Sequence, residues 1–432
     1  MTDIYEIAEY TLEALKKSGA DAAQCIVSKS KKDELNVDGG KFSLMRSTFN
    51  TSISMKAIKD GKKGVTSINQ ATKEAIDEAA AQCISAAQSS VPDEAEQIAP
   101  FTAKAEYKTG VFEPELDKLF DRIEEFMSQT AAEYPKVILE QLISDYEHSE
   151  KLYMNTNGTS LKYEHGEYSF NTMFSAHEGE KASSFNGYFC ALDSLDKPFM
   201  DTGMQRQLLE ESEKQLDTVS PSEKFVGRVI YSPDCFNELL QTALENFASS
   251  GVLIDGTSPW KDALNTKVAS EKLNLRSVPL DGRTVVGQRF TSDGYPVEDM
   301  DIIIDGVLKT FILSQYGANK TGFQRSLNSG NNLEVLPGDK ALEEMISGID
   351  RGLIVNRFSG GQPSSNGDFS GVAKNSFLIE NGKVVSAVSE TMISGNIIDM
   401  LNNIVAVSKE QTTDGLSFMP WAEFDGVTVS GK

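Results

Sequence analysis

A length of 432 residues supplies two or three domains with buried cores. The 41 basic and 64 acidic side chains leave a formal charge of −23, a surface that repels phosphate backbones and argues against direct DNA or RNA binding. No run approaches the ~20 apolar residues of a membrane span, and the opening Met1-Thr2-Asp3-Ile4-Tyr5-Glu6 lacks the basic and apolar regions of a signal peptide, so a cytoplasmic location is expected.

Thr2 or Asp3 can cap a first helix in which Ile4, Ile7, Ala8, Leu12 and Leu15 recur at helical spacing, with Gly19 as its stop. From Ala22 to Ser67 the pattern turns to strands: Cys25-Ile26-Val27, Phe42 to Met45 and Thr51 to Ile58. Asp38-Gly39-Gly40 and Asp60-Gly61 are hairpin signals between them. The basic clusters Lys29-Ser30-Lys31-Lys32 and Lys59-Asp60-Gly61-Lys62-Lys63 read as solvated turns. A helix over 71–87 and a connector over 89–109, holding Pro92 and Pro100, follow. Leu116, Leu119, Phe120, Ile123 and Phe126 define an amphipathic helix over 114–132. A strand-rich stretch from Pro135 to Leu195 turns at Asn157-Gly158, and a polar helix over 201–216 leads to Ser220-Pro221-Ser222.

That segment is the expected domain boundary, giving an N-terminal α+β domain over 1–218 and a C-terminal domain over 219–432. The second half opens with a strand at 227–231 and a helix over 233–249, whose first turn suits Pro233. Asp305-Gly306 and Asn381-Gly382 then sit between apolar strands as hairpin turns, and short helices fall near 341–346 and 397–403. The fold class expected is α+β: helices with an antiparallel sheet first, then a mostly antiparallel, barrel-like β domain.

Chemistry-bearing motifs are sparse. Cys25, Cys83, Cys190 and Cys235 are far apart and form no C-x-x-C pair, which fits reduced structural thiols. His148, His165 and His177 all lie in the first half without ligand spacing, and read as surface or turn histidines. Glu124-Glu125 and Glu210-Glu211 read as solvated helix faces. There is no nucleophile elbow and no phosphate-binding loop. The second half holds no histidine, which excludes a Ser/His/Asp hydrolase built within it. The most specific positive signal is the glycine-rich segment Arg357 to Pro363, where Gly360, Gly361 and Gln362 suit a loop lining a narrow cleft.

Several C-terminal segments, taken in order, resemble the TldD/PmbA family, often labelled modulators of DNA gyrase. They are Arg351-Gly352-Leu353-Ile354-Val355 with Gly360-Gly361, Gly367-Asp368-Phe369-Ser370, Ile379-Glu380-Asn381-Gly382 and Ile393-Ser394-Gly395-Asn396, preceded by Leu280-Asp281-Gly282 and Ser292-Asp293-Gly294. The stretch Cys235 to Asn246 resembles the helix that carries the His-Glu-x-x-x-His zinc motif of the catalytic branch. Gln241 and Asn246 stand at its histidine positions and Thr242 at its glutamate. The family's late cysteine ligand is also missing, because no cysteine follows Cys235.

The resemblance therefore points to the PmbA/TldE-like branch, with no catalytic residue, metal or cofactor in this chain and zinc only in a catalytic partner. It implies a two-domain fold and dimerisation through the C-terminal half. An extended peptide would enter the cleft as an added strand. The function expected is the non-catalytic subunit of a heteromeric zinc metalloprotease, beside a TldD-like homologue, acting on unfolded or extended peptides. The alternative is a homodimeric peptide-binding protein with no catalytic role.

Overall fold

The computed structural model describes residues 3–221, 223–389 and 391–431. Thr2, the alternative helix cap, and Ser222, in the expected boundary, lie outside the described residues.

The first half runs α1 (Ile4–Lys17), β1 (Ala22–Asp38), β2 (Lys41–Lys59), β3 (Lys62–Ile68), α2 (Lys73–Ser89), β4 (Lys104–Gly110), α3 (Leu116–Glu133), β5 (Val137–Asn155), β6 (Ser160–Glu178), β7 (Lys181–Ala182), β8 (Asn186–Leu192) and α4 (Gln205–Lys214). Asp3 caps α1 by accepting from the amides of Tyr5 and Glu6 at 2.9 and 3.0 Å. The strands form a sheet in the order β3-β2-β1-β5-β6-β4, with β7 and β8 also pairing β6. Helices cover one face. Ile7 and Leu15 of α1 and Ile76 and Cys83 of α2 pack on Cys25 and Val27 of β1. Farther along, Leu119, Ile123 and Phe126 of α3 pack on Leu142 and Phe170.

The second half runs β9 (Thr218–Val219), β10 (Phe225–Tyr231), α5 (Pro233–Ala248), α6 (Ser250–Ile254), β11 (Leu275–Ser277), β12 (Met300–Ile304), β13 (Val307–Leu308), α7 (Gln315–Thr321), β14 (Leu333–Val335), α8 (Leu342–Ser347) and β15 (Arg351–Val355). It continues through β16 (Arg357–Gly360), β17 (Asp368–Lys374), β18 (Ser376–Glu380), β19 (Lys383–Val388), β20 (Met392–Asn396), α9 (Ile397–Asn402), β21 (Ile404–Thr413) and β22 (Phe418–Ser430). The main path is β13-β12-β11-β14-β22-β10-β15-β18-β19-β9. Pairing is largely antiparallel, with parallel contacts at β10–β15, β14–β22 and β9–β19. The fold class is the expected α+β, and no described helix is long and apolar enough to cross a membrane. Phe170, Phe174 and Tyr188 of the first half share a buried cluster with Ile230, Ile379 and Trp421 of the second.

Three departures from the sequence expectations concern the strands of the first half. Lys29-Ser30-Lys31-Lys32 is no turn: it lies within β1, Lys31 pairing with Phe49 on one side and His148 on the other. The connector over 89–109 contains most of β4, whose partner β6 lies far off in sequence. His165 is no surface group: it sits in β6 at 3% exposure.

Candidate functional site: two cavities flanking one helix

Helix α5 starts where Ser232 Oγ accepts from the Cys235 amide at 3.4 Å and Pro233 occupies the first turn. Phe236, Leu239, Leu240, Ala243, Leu244 and Phe247 make the buried stripe, and the Phe236 ring meets Phe424 of β22 edge-on, centroids 5.7 Å apart. This packing fixes which side chains of the helix reach each cavity beside it.

The larger cavity, about 830 Å³, lies between the two sheets. Side chains alternate across a strand, and Ser149, Lys151, Tyr163, His165 and Glu167 of β5 and β6 line one wall. Residues 286–290, 330–333, 414 and 416–417 line the other, with Asn237 and Gln241 of α5. Gln241 donates to Asn237 Oδ1 and Asn237 to Ser417 Oγ, both at 3.4 Å. On the opposite wall His165 Nδ1 meets Thr109 Oγ1 at 2.8 Å, and its Nε2 lies 2.6 Å from Glu167 Oε2. Burial raises the pKa of the neighbouring Tyr163 hydroxyl.

The smaller cavity, about 320 Å³, lies on another side of α5 and is lined by Glu238, Leu239 and Thr242 together with Phe358, Gly360, Gly361 and Gln362. Gly360 ends strand β16 rather than lying in a loop, and a Cβ on it would stand 2.6 Å from Phe358 Cζ and 2.8 Å from the Ser370 carbonyl oxygen, so the strand needs glycine there. Around Gly361 the space is open. Asn396 ties the family segments together: its Nδ2 donates to Asp368 Oδ1 at 2.9 Å, while its Oδ1 caps α9 at the Ile398 amide.

A third concavity, about 530 Å³, holds Asp234, Glu238 and Arg357. Loss of solvation, then the negative charges of Asp414 and Glu238, push Asp234 up to about 6. Glu238 is also raised by desolvation, against the opposing pull of Arg357.

Thr242 and the Gly360-Gly361-Gln362 segment are thus brought together, Gln241 faces the larger cavity, and Asn246 lines neither. Sequence reasoning missed Lys151, Tyr163, His165 and Arg289, which come together only when β5, β6 and the 286–290 segment meet. It also placed Glu211 on a solvated face. Glu210 does reach the surface, pairing with Lys214 at 2.7 Å, but Glu211 turns inward and accepts from Asn356 Nδ2 at 2.6 Å.

Residues 224–431 match the model of the PmbA/TldA metallopeptidase C-terminal domain, and residues 23–87 that of the PmbA/TldA metallopeptidase domain 1. The chain belongs to the TldD/PmbA family. It is 32% identical over 155 residues to metalloprotease PmbA of Escherichia coli O157:H7, covering 35% of this chain and 34% of that protein. It is 28% identical over 195 residues to a zinc metalloprotease TldD homolog of Saccharolobus solfataricus, 42% of this chain and 44% of the relative. The aligned stretches thus span less than half of either relative. The crystal structure of TldE from Thermococcus kodakarensis superposes with a TM-score of 0.82 at 22% identity, over 98% of this chain and all of that one, a likeness of fold.

The α5 positions that resemble the family's zinc motif carry side chains that do not suit zinc. Gln241 and Asn246 offer only neutral amides, and the Thr242 hydroxyl donates to the Glu238 carbonyl at 2.8 Å, its own helix. Cys235 is buried, and burial raises its pKa, against the thiolate a metal requires. Elsewhere among the described residues His148, Glu150 and Glu164 cluster across β5 and β6, where Lys108 and Lys162 already stand 3.7 and 3.9 Å from the two carboxylates.

Proposed function

We propose that this chain is the PmbA/TldE-like, non-catalytic subunit of a heteromeric zinc metalloprotease. It holds an extended peptide while a TldD-like homologue supplies the metal chemistry. One observation supports this reading: α5, the helix that resembles the family's zinc-motif helix, lies between two cavities and carries Gln241 and Asn246 where the resemblance puts the histidine ligands and Thr242 where it puts the glutamate. The peptide lies in the cleft between the sheets, where serine hydroxyls and the Asn237 and Gln241 amides match the hydrogen-bonding needs of an extended backbone. The Gly360-Gly361 segment approaches the substrate from the other side of α5.

The test mixes an unstructured peptide with this chain alone, with a TldD-like homologue alone and with both. Chelator-sensitive cleavage that is strongest in the mixture, together with a mixed complex by light scattering, is expected. Cleavage by this chain alone, insensitive to chelator, overturns the reading. Peptide binding by a homodimer that ignores the homologue favours the binding protein instead.

A further inference from the structure

The charges lining the larger cavity are unevenly matched. Its carboxylates each have a close neighbour within the protein. Glu147 lies 3.2 Å from Lys32 and Glu150 lies 3.9 Å from Lys162, while Glu167 Oε2 lies 2.6 Å from His165 Nε2 without forming a hydrogen bond. Asp414 accepts from the Leu416 and Ser417 amides at 2.9 and 2.7 Å. Two cations on the same cavity are not matched by acids. Lys151 lies over the Phe290 ring at 5.7 Å, and Arg289 lies over the Tyr163 ring at 5.6 Å while donating to the Pro279 and Gln288 carbonyls. Among the described residues neither forms an ion pair.

The two cations share one place. Lys151 and Tyr163 are directly paired across β5 and β6, so their side chains leave the same face about 5 Å apart at Cβ. Arg289 covers the Tyr163 ring and its chain neighbour Phe290 covers Lys151, so both charges converge on one stretch of wall. Burial also depresses the Lys151 pKa, the cost of a desolvated ammonium without a counter-charge. In a chain carrying 23 excess negative charges, two half-buried cations left without acids mark a site for an anion from outside.

We propose that Lys151 and Arg289 form a carboxylate-binding subsite of the cleft, selecting peptides that place a C-terminal carboxylate or an acidic side chain against Tyr163. This rests on the cleft being the peptide site. Arg289 and Lys151 supply charge-assisted donors, and the Tyr163 and Phe290 rings exclude water around them.

The test uses three labelled peptides of one sequence and the full chain, read by fluorescence anisotropy. One has a free C-terminal carboxylate and no acidic residue, one is amidated with an internal Glu, and one is amidated with Gln in its place. At least one carboxylate peptide should bind about tenfold more tightly than the neutral one, and which one does so identifies the source of the carboxylate. Lys151→Met keeps the stem and should abolish the preference; Arg289→Gln should do the same. Bound carboxylate peptide should also slow acetylation of Lys151, read by mass spectrometry, while the neutral peptide should not. Equal binding of all three peptides overturns the subsite and leaves the peptide cleft standing. No binding of any peptide overturns both.

Discussion

Gly294 packs against the hydroxyl end of Tyr153, and a Cβ added to it would fall inside the van der Waals boundary at Cζ, Cε1 and Oη. This contact joins the two halves. Tyr153 belongs to β5, while Gly294 sits in a turn whose carbonyl accepts from Thr102 Oγ1 at 2.7 Å, with the Ser292 carbonyl accepting from Gln24 at 3.2 Å. Asp293 is held between Arg325 at 3.0 Å and the Gln315 amide at 2.7 Å.

Gly294→Ala should therefore destabilise the protein by about 2–4 kcal/mol, since φ at +89° disfavours any side chain and the added Cβ would collide with the fully buried Tyr153. Urea melts check this. A change below about 0.5 kcal/mol would show that the turn does not clamp the halves.

Glu211 gives a pH signature. Burial pushes it up to about 7 from 4.5, against the donors Gln207 and Asn356. A folded pKa above the unfolded one means that the protein gains stability from this group below pH ~4.5 and loses it as pH rises towards 7, on the order of 3 kcal/mol in total. Glu211→Gln removes the charge. Asn356 Oδ1, buried without a partner, can accept from the new amide once the Asn356 side chain turns over. The variant should match the parent near pH 4 and exceed it at pH 8. Parallel pH profiles in thermal melts would refute this.

The purified chain should carry no stoichiometric zinc at α5. Elemental analysis after dialysis checks this. If about one metal per chain remains, its loss in His148→Ala would place it on the β5–β6 cluster, while its retention would mean a ligand set outside that cluster.

Gly361→Val separates access from folding. Nothing lies within 4 Å of a Cβ at Gly361, so the melting temperature should move little. Cleavage in the mixture with the catalytic homologue should fall severalfold, since the added side chain projects beside the cavity that Thr242 lines. Unchanged cleavage would remove the loop from the substrate path.

What the sequence made legible was mostly local. Asp60-Gly61, Asp305-Gly306 and Asn381-Gly382 all adopt positive φ at both residues, as two-residue hairpin turns require, and each joins the expected strands. Helix α5 was equally readable from Pro233 in its first turn. The extent of β1 and β2, 17 and 19 residues, was not. Their middle portions are polar where they face the cleft or solvent, and Lys29 to Lys32 resembles a turn until β5 supplies a partner. Strand β4 escaped for a related reason, since its exposed and half-buried residues alternate and its pairing with β6 is parallel and distant. The carboxylate subsite was invisible because Lys151 and Arg289 are unremarkable until the fold brings Tyr163 and Phe290 between them.

The position of β22 at the centre of the second sheet governs how that sheet assembles. It pairs with β10, β14, β20 and β21, all of them upstream, and β10 and β14 reach each other only through it. Until residues 418–430 emerge, β10 and β14 wait with open edges across the long interval from Tyr231 to Phe418. Assembly of the second half is therefore late and non-local, a slow step in which exposed strands invite mispairing with other chains.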